Sequence, residues 1–115
     1  MNNRIGLIAT CYEKFPVFFQ YWLDSAKENS TVDFYLITDI PLMEYEVPDN
    51  VRVINWSFSE LKERLQRLFP FRICLNTPYK LCDYKPVYGK LLEDCLLNNN
   101  WWGFVDVDVI FGDIV

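Results

Sequence analysis

Ile5-Gly6-Leu7-Ile8-Ala9-Thr10 is apolar on both of the faces that a strand presents. A strand with one wet face alternates apolar and polar residues; one without alternation is covered on both sides, as in a parallel sheet flanked by helices. The next segment supplies a cover. In Pro16-Val17-Phe18-Phe19-Gln20-Tyr21-Trp22-Leu23-Asp24-Ser25-Ala26, the residues Phe18, Phe19, Trp22, Leu23 and Ala26 recur at helical spacing. Pro16 suits the first turn of that helix. Val32 to Asp39, rich in Phe, Tyr, Leu and Ile, is the second strand.

The same alternation continues. Pro41 to Asn50 is a surface connection, and Val51-Arg52-Val53-Ile54-Asn55 is a third short strand. Ser57-Phe58-Ser59-Glu60 fits a capping box, with Leu61, Leu65 and Leu68 on one helical face and Pro70 as the stop. Lys85-Pro86 is expected to open another helix, with Val87, Leu91, Leu92, Cys95 and Leu96 as its apolar stripe and Asn98-Asn99-Asn100 as its end. The last strand is placed from about Trp102 to Val109. Strands alternating with helices predict an α/β fold with a mainly parallel sheet. No repeat, low-complexity segment or Gly/Ser-rich linker divides the chain, so residues 1–115 read as one domain.

Composition narrows the function. The net charge of −5, without a basic run, disfavours nucleic acid, whose phosphates need clustered Lys and Arg. With no histidine, imidazole catalysis and mixed zinc sites are excluded. Cys11, Cys74, Cys82 and Cys95 form no CxxC pair and no signal-peptide pattern opens the sequence. They are expected to be reduced, mostly buried and structural, in a cytoplasmic protein. No apolar run is long enough to span a bilayer. Thr10-Cys11-Tyr12-Glu13-Lys14 stands where a Gly-x-Gly-x-x-Gly would follow the first strand, which argues against a dinucleotide site; a P-loop is also absent.

Asp106-Val107-Asp108 is the strongest chemical signal. Residues two apart on a strand share a face, so both carboxylates point one way, while Val105, Val107 and Val109 point the other way and are expected to be buried. Paired carboxylates repel each other and are costly to desolvate, and a divalent cation such as Mg²⁺ or Mn²⁺ removes that cost. Asp-x-Asp is also common as a solvated turn. Here it lies between Trp101-Trp102-Gly103-Phe104 and Val109-Ile110-Phe111, where a solvated turn is unusual. These four aromatics, Trp101, Trp102, Phe104 and Phe111, are read as core. Asp113 is read as a cap.

Trp102-Gly103-Phe104-Val105-Asp106-Val107-Asp108-Val109-Ile110-Phe111-Gly112-Asp113 resembles the DxD strand of GT-A glycosyltransferases, especially bacterial families of polysaccharide assembly. Tyr79-Lys80-Leu81-Cys82-Asp83-Tyr84-Lys85-Pro86-Val87-Tyr88-Gly89 is similar to the Lys-x-x-Asp-x-Lys-Pro pattern that precedes that strand in those families. With the first strand, the resemblance covers nearly the whole chain. It implies a Rossmann-like GT-A half that binds a nucleotide-diphosphate sugar, with a mainly parallel sheet, truncated after the DxD strand. It implies that Asp106 and Asp108 hold the cation and that Asp106 also contacts the ribose.

Around that pair the readings stay open. Tyr12, after Thr10 and Cys11, either stacks on the base or belongs to an ordinary loop. Asp39 either accepts a hydrogen bond from the nucleotide or is a turn aspartate. Lys80 and Lys85 reach a phosphate, with Asp83 pairing with Lys85 or Lys80 or contacting the nucleotide, or the three form a surface ion-pair cluster. General base, acceptor site and further metal ligand follow the DxD strand in the superfamily, and the sequence stops at Gly112-Asp113-Ile114-Val115. The expectation is therefore donor binding without turnover by this piece, and self-association through an open sheet edge. The glycan or lipid-linked acceptor stays unassigned, and the parent enzyme is expected in the cytoplasm or at the inner membrane's surface. The alternative is a non-catalytic nucleotide-binding or interaction module.

Overall fold

The computed structural model describes residues 4–112 and residue 114; Asp113 and the side chains of Tyr79 and Cys82 lie outside the described residues. Four strands form one parallel sheet: β1 (Ile5–Thr10), β2 (Val32–Thr38), β3 (Val51–Asn55) and β4 (Trp101–Phe104), in the order β3-β2-β1-β4. Ile5 is level with Val32 on one side and with Trp101 on the other, and Phe34 is level with Val51. Every residue of β2 is buried, as expected for a central strand covered on both faces.

Each face has its own core. On one lies α1 (Phe19–Glu28), which buries Phe19, Trp22, Leu23 and Ala26 against Phe34 and Leu36. Pro16 precedes this helix and is not in its first turn: its carbonyl accepts from the Phe19 amide (3.0 Å). The connection from β2 to β3 crosses the same face without a helix. Ile40, Leu42, Tyr45 and Val47 fill the place a helix would take. Asn50 holds the crossing, donating from Nδ2 to the carbonyls of Ala26, Asn29 and Val32 at 2.9, 3.1 and 3.1 Å.

The opposite face is covered by α2 (Phe58–Gln66), a 3₁₀ stretch (Pro78–Val87) and the single turn α3 (Tyr88–Leu91). Ser57 caps α2 as its spacing predicts, accepting from the Glu60 amide at 3.1 Å, and Leu61 and Leu65 are buried. The helix expected to open at Lys85-Pro86 is different. Pro86 offers no N–H and restricts Lys85, so the chain runs as 3₁₀ up to Val87, and turns follow α3 from Leu92 to Asn98. Leu92 is buried, Val87, Leu91 and Leu96 partly so, but Cys95 is exposed. Cys74 is exposed as well, so among the described cysteine side chains only Cys11 fits the expected buried role.

The last strand is also shorter than predicted. β4 ends at Phe104, and Asp106 and Asp108 lie beyond it, with a turn at Val107-Asp108. β4 is the sheet edge, so Trp101 (67 % exposed), Trp102 (41 %) and Phe104 (46 %) are not core residues. That edge is the feature on which the expected self-association rests. Val109 is exposed too, whereas Val105 and Val107 pack on the α1 core. Phe111 does enter that core, its ring 5.6 Å from Trp22 and 5.2 Å from Phe34.

A buried ion cluster closes the far end of the sheet. Asp33 on β2 accepts from Arg4 Nε (2.9 Å), Arg4 Nη2 (2.5 Å) and Asn99 Nδ2 (2.9 Å), which ties the entry of β1 to the turn before β4. Gly6 lets that turn approach: a Cβ there would lie 2.7 Å from Leu96 Cδ2. Among the described residues no helix is long and apolar enough to cross a membrane.

Candidate functional site

In the order β3-β2-β1-β4 the chain winds away from β1 in both directions, and the crevice between the carboxyl ends of β1 and β4 is the topological switch point. The connections from β1 and to β4 lie on opposite faces of the sheet, which opens a crevice between their ends. The loop after β1, the 3₁₀ stretch and the turn after β4 deliver residues to this end.

The turn after β4 keeps the alternation of the strand. Val105 and Val107 face the α1 core while Asp106 and Asp108 face solvent. Asp106 is anchored from below: Trp22, fully buried in α1, donates its indole N–H to the Asp106 carbonyl at 3.0 Å. Further on, Asn29 donates to the Gly112 carbonyl (2.9 Å) and accepts from the Ile114 amide (2.8 Å). The segment is thereby folded back onto α1.

From the other face comes Lys85. Its Nζ lies 2.5 Å from Asp106 Oδ1 and 5.6 Å from the centre of the Phe104 ring. Asp106 is 59 % exposed and Lys85 20 %. Lys85 thus pairs with Asp106, twenty-one positions along, and not with Asp83. Lys80 and Asp83 are exposed and form no ion pair among the described residues. Two contacts bring the Lys85 segment here. Tyr88, fully buried, shares a hydrogen bond with Thr10 Oγ1 at 3.3 Å. Gly89 presses on Trp102, so closely that an added Cβ would sit 2.1 Å from its Cε2.

The loop after β1 borders a cleft of about 300 Å³ lined by Thr10, Cys11, Tyr12, Glu13, Pro78 and Leu81. Tyr12 lines this cleft but is itself buried. Its ring is buried edge-on to Phe58 (5.6 Å), and its hydroxyl donates to the Trp56 carbonyl at 3.0 Å. Burial, and next the charge of Asp39, push its phenol pKa well above the usual range. Asp39 itself is exposed, just past β2 at the same end of the sheet. Burial also raises the Cys11 thiol to about 11, and its Sγ donates to the Lys14 carbonyl at 3.3 Å, a protonated structural role.

Glu13 carries a feature with no signature in sequence. Its φ is 80°, and the Lys14 amide donates to the Tyr12 carbonyl at 3.1 Å, closing a left-handed γ-turn on a residue with a Cβ. Such a conformation costs roughly 1–3 kcal/mol, more than the extra chain entropy of glycine. Glu13→Gly is therefore expected to raise the melting temperature by about 2–6 °C. A thermal melt with unchanged or lower midpoint would show that Glu13 is unstrained.

Among the described residues no group of three His, Cys, Asp or Glu is arranged to hold a metal. Asp106 and Asp108 are a two-carboxylate set. The larger groove of the protein, about 580 Å³ between α2 and the 72–76 segment, shares no residue with the crevice.

Fold and site together define an α/β domain with a four-stranded, all-parallel sheet, compatible with a Rossmann-like fold, that carries an acidic pair and a lysine at its switch point. The chain belongs to a family of unknown function, DUF6625, whose model matches residues 7–115. No curated protein and no solved structure matches it.

Proposed function

We propose that this chain is the donor-binding part of a GT-A glycosyltransferase, which binds a nucleotide-diphosphate sugar through a divalent cation, Mn²⁺ or Mg²⁺, for sugar transfer in glycan or polysaccharide synthesis. The observation that carries this is the placement of Asp106 and Asp108, both solvent-facing, beyond the carboxyl end of β4, with Lys85 against Asp106. The donor set fits the cation. Two hard carboxylate oxygens suit Mg²⁺ or Mn²⁺, which keep waters and share substrate phosphates, so a complete protein cage is not required. That Asp106 already attracts an ammonium group supports the same sign of charge there.

When bound, the cation offsets charge developing on the diphosphate leaving group. The chain's own residues do the rest. Lys85 reaches a phosphate as a point charge, and Lys80 adds a second from the exposed side of the 3₁₀ stretch. Trp22 fixes the Asp106 backbone and so positions the turn that carries the carboxylate. Thr10 and the backbone of the loop after β1 offer polar groups to the nucleoside. Asp39 accepts from ribose or base, and exposed Asp83 contacts the nucleotide. Tyr12 walls the cleft from beneath.

Calorimetric titration of UDP and GDP with Mn²⁺ tests this. Metal-dependent binding is expected in the wild-type chain, with at least about tenfold weaker affinity in Asp108→Ala. Equal binding by that variant, or no metal-dependent binding at all, would sink the proposal.

A further inference from the structure

Lys85 sits where a metal cation belongs. Its ammonium is 2.5 Å from the Asp106 carboxylate, while the Asp106 backbone is held from the other side by Trp22 at 3.0 Å. The Asp106 backbone is thus held in place, while Lys85 reaches its carboxylate through a long, rotatable side chain. We infer that Lys85 is a placeholder that makes cation binding at Asp106 conditional on the diphosphate. The inference rests on the donor-site reading above and concerns the regulation of that site.

The physics is one of competing positive charges. An ammonium group and a divalent ion cannot both lie within hydrogen-bond distance of Asp106 Oδ1 without strong repulsion. A cation arriving alone must displace Lys85 and then tolerate its charge nearby. Once a diphosphate lies in the crevice, the ammonium has an anion of its own to contact, and Asp106 is released. The Phe104 ring, 5.6 Å from Nζ, keeps the displaced side chain at the crevice. Cation and diphosphate then promote each other's binding, and by thermodynamic reciprocity to the same degree. Neither ligand is held firmly without the other, which keeps the acidic pair from capturing free metal ions.

The test is a titration of Mn²⁺, followed by the paramagnetic resonance of the free ion, into wild type, Lys85→Gln and Lys85→Arg, each with and without UDP or GDP. Asp108→Ala supplies the background from other acidic groups. Lys85→Gln is expected to bind Mn²⁺ alone roughly three- to tenfold more tightly than wild type. The increase in Mn²⁺ affinity on adding nucleotide is expected to shrink in that variant and to persist in Lys85→Arg, which keeps the charge. If Lys85→Gln binds Mn²⁺ alone no better than wild type, or keeps the full nucleotide effect, the placeholder role is wrong while the donor site stands. If no form binds Mn²⁺ above the Asp108→Ala background even with nucleotide, the donor site itself is wrong and the placeholder falls with it.

Discussion

Trp22→Ala is expected to destabilise the protein by roughly 3–5 kcal/mol, a large share of the stability of a small domain. Trp22 is fully buried, stacked on Phe19 at 5.3 Å and edge-on to Phe34 at 5.8 Å, with Phe111 against it. Truncation leaves a cavity among the rings of Phe19, Phe34 and Phe111. It also frees the turn that carries Asp106, since the indole N–H is its anchor. Trp22→Phe separates the two roles. It keeps most of the packing and is expected to lose about 1–2 kcal/mol, yet Mn²⁺ affinity in the presence of nucleotide is expected to fall several-fold. Chemical denaturation gives the first quantity and metal titration the second. A Trp22→Phe protein with unchanged metal affinity would show that the carbonyl contact does not position the site.

Acid is the second large lever, through Asp33. The hydrogen bond from Arg4, then that from Asn99, hold this carboxyl below its usual range, against the opposing effect of burial. A carboxyl whose folded pKa is lowered contributes stability above its unfolded value of about 4. That contribution disappears as pH falls through the folded value. The denaturation midpoint is thus expected to be level near neutrality and to drop steeply below about pH 4. Asp33→Asn is expected to cost about 2–3 kcal/mol at pH 7, because Arg4 stays beside an uncharged partner. The same variant is expected to flatten the acid limb. If both proteins lose equal stability between neutral and acid pH, the sensitivity lies in another group.

Much of the fold was legible because its signals are local. Ile5–Thr10 and Val51–Asn55 are bounded by polar residues on both sides, and the strands match these limits. Ser57 and Glu60 announce α2 through a contact only three residues long. The strand order is different, since nothing local says that β4 joins β1. Trp101, Trp102 and Phe104 read as core by hydrophobicity alone; their exposure follows from their place at the sheet edge. Lys85-Pro86 looked like a helix start because proline suits a first turn, but a residue preceding proline resists the α conformation.

The site divides along the same line. Asp106, Asp108 and Lys85 stand out by residue type and spacing, and the structure brings Lys85 onto Asp106. That particular pairing needed the fold, because Asp83 is nearer in sequence. Tyr12 was ambiguous for the same reason: only the Trp56 carbonyl and the Phe58 ring, more than forty residues on, decide that it faces inward. Trp22 reads as one more apolar position on a helix stripe, and its use as an anchor is invisible until the chain returns from β4.

The pairing of β1 with β4 also sets a timetable. The first strand lies in the middle of the sheet, and its second neighbour comes from far along the chain; Arg4 and Asn100, joined by a hydrogen bond, are 96 residues apart. Closing so long a loop is entropically costly and, in parallel sheets, slow. The crevice therefore does not exist in a partly folded chain that has formed only the unit β1-α1-β2-β3. Completion of the acidic pair and docking of β4 are one event, and any ligand that grips the crevice stabilises the docked strand.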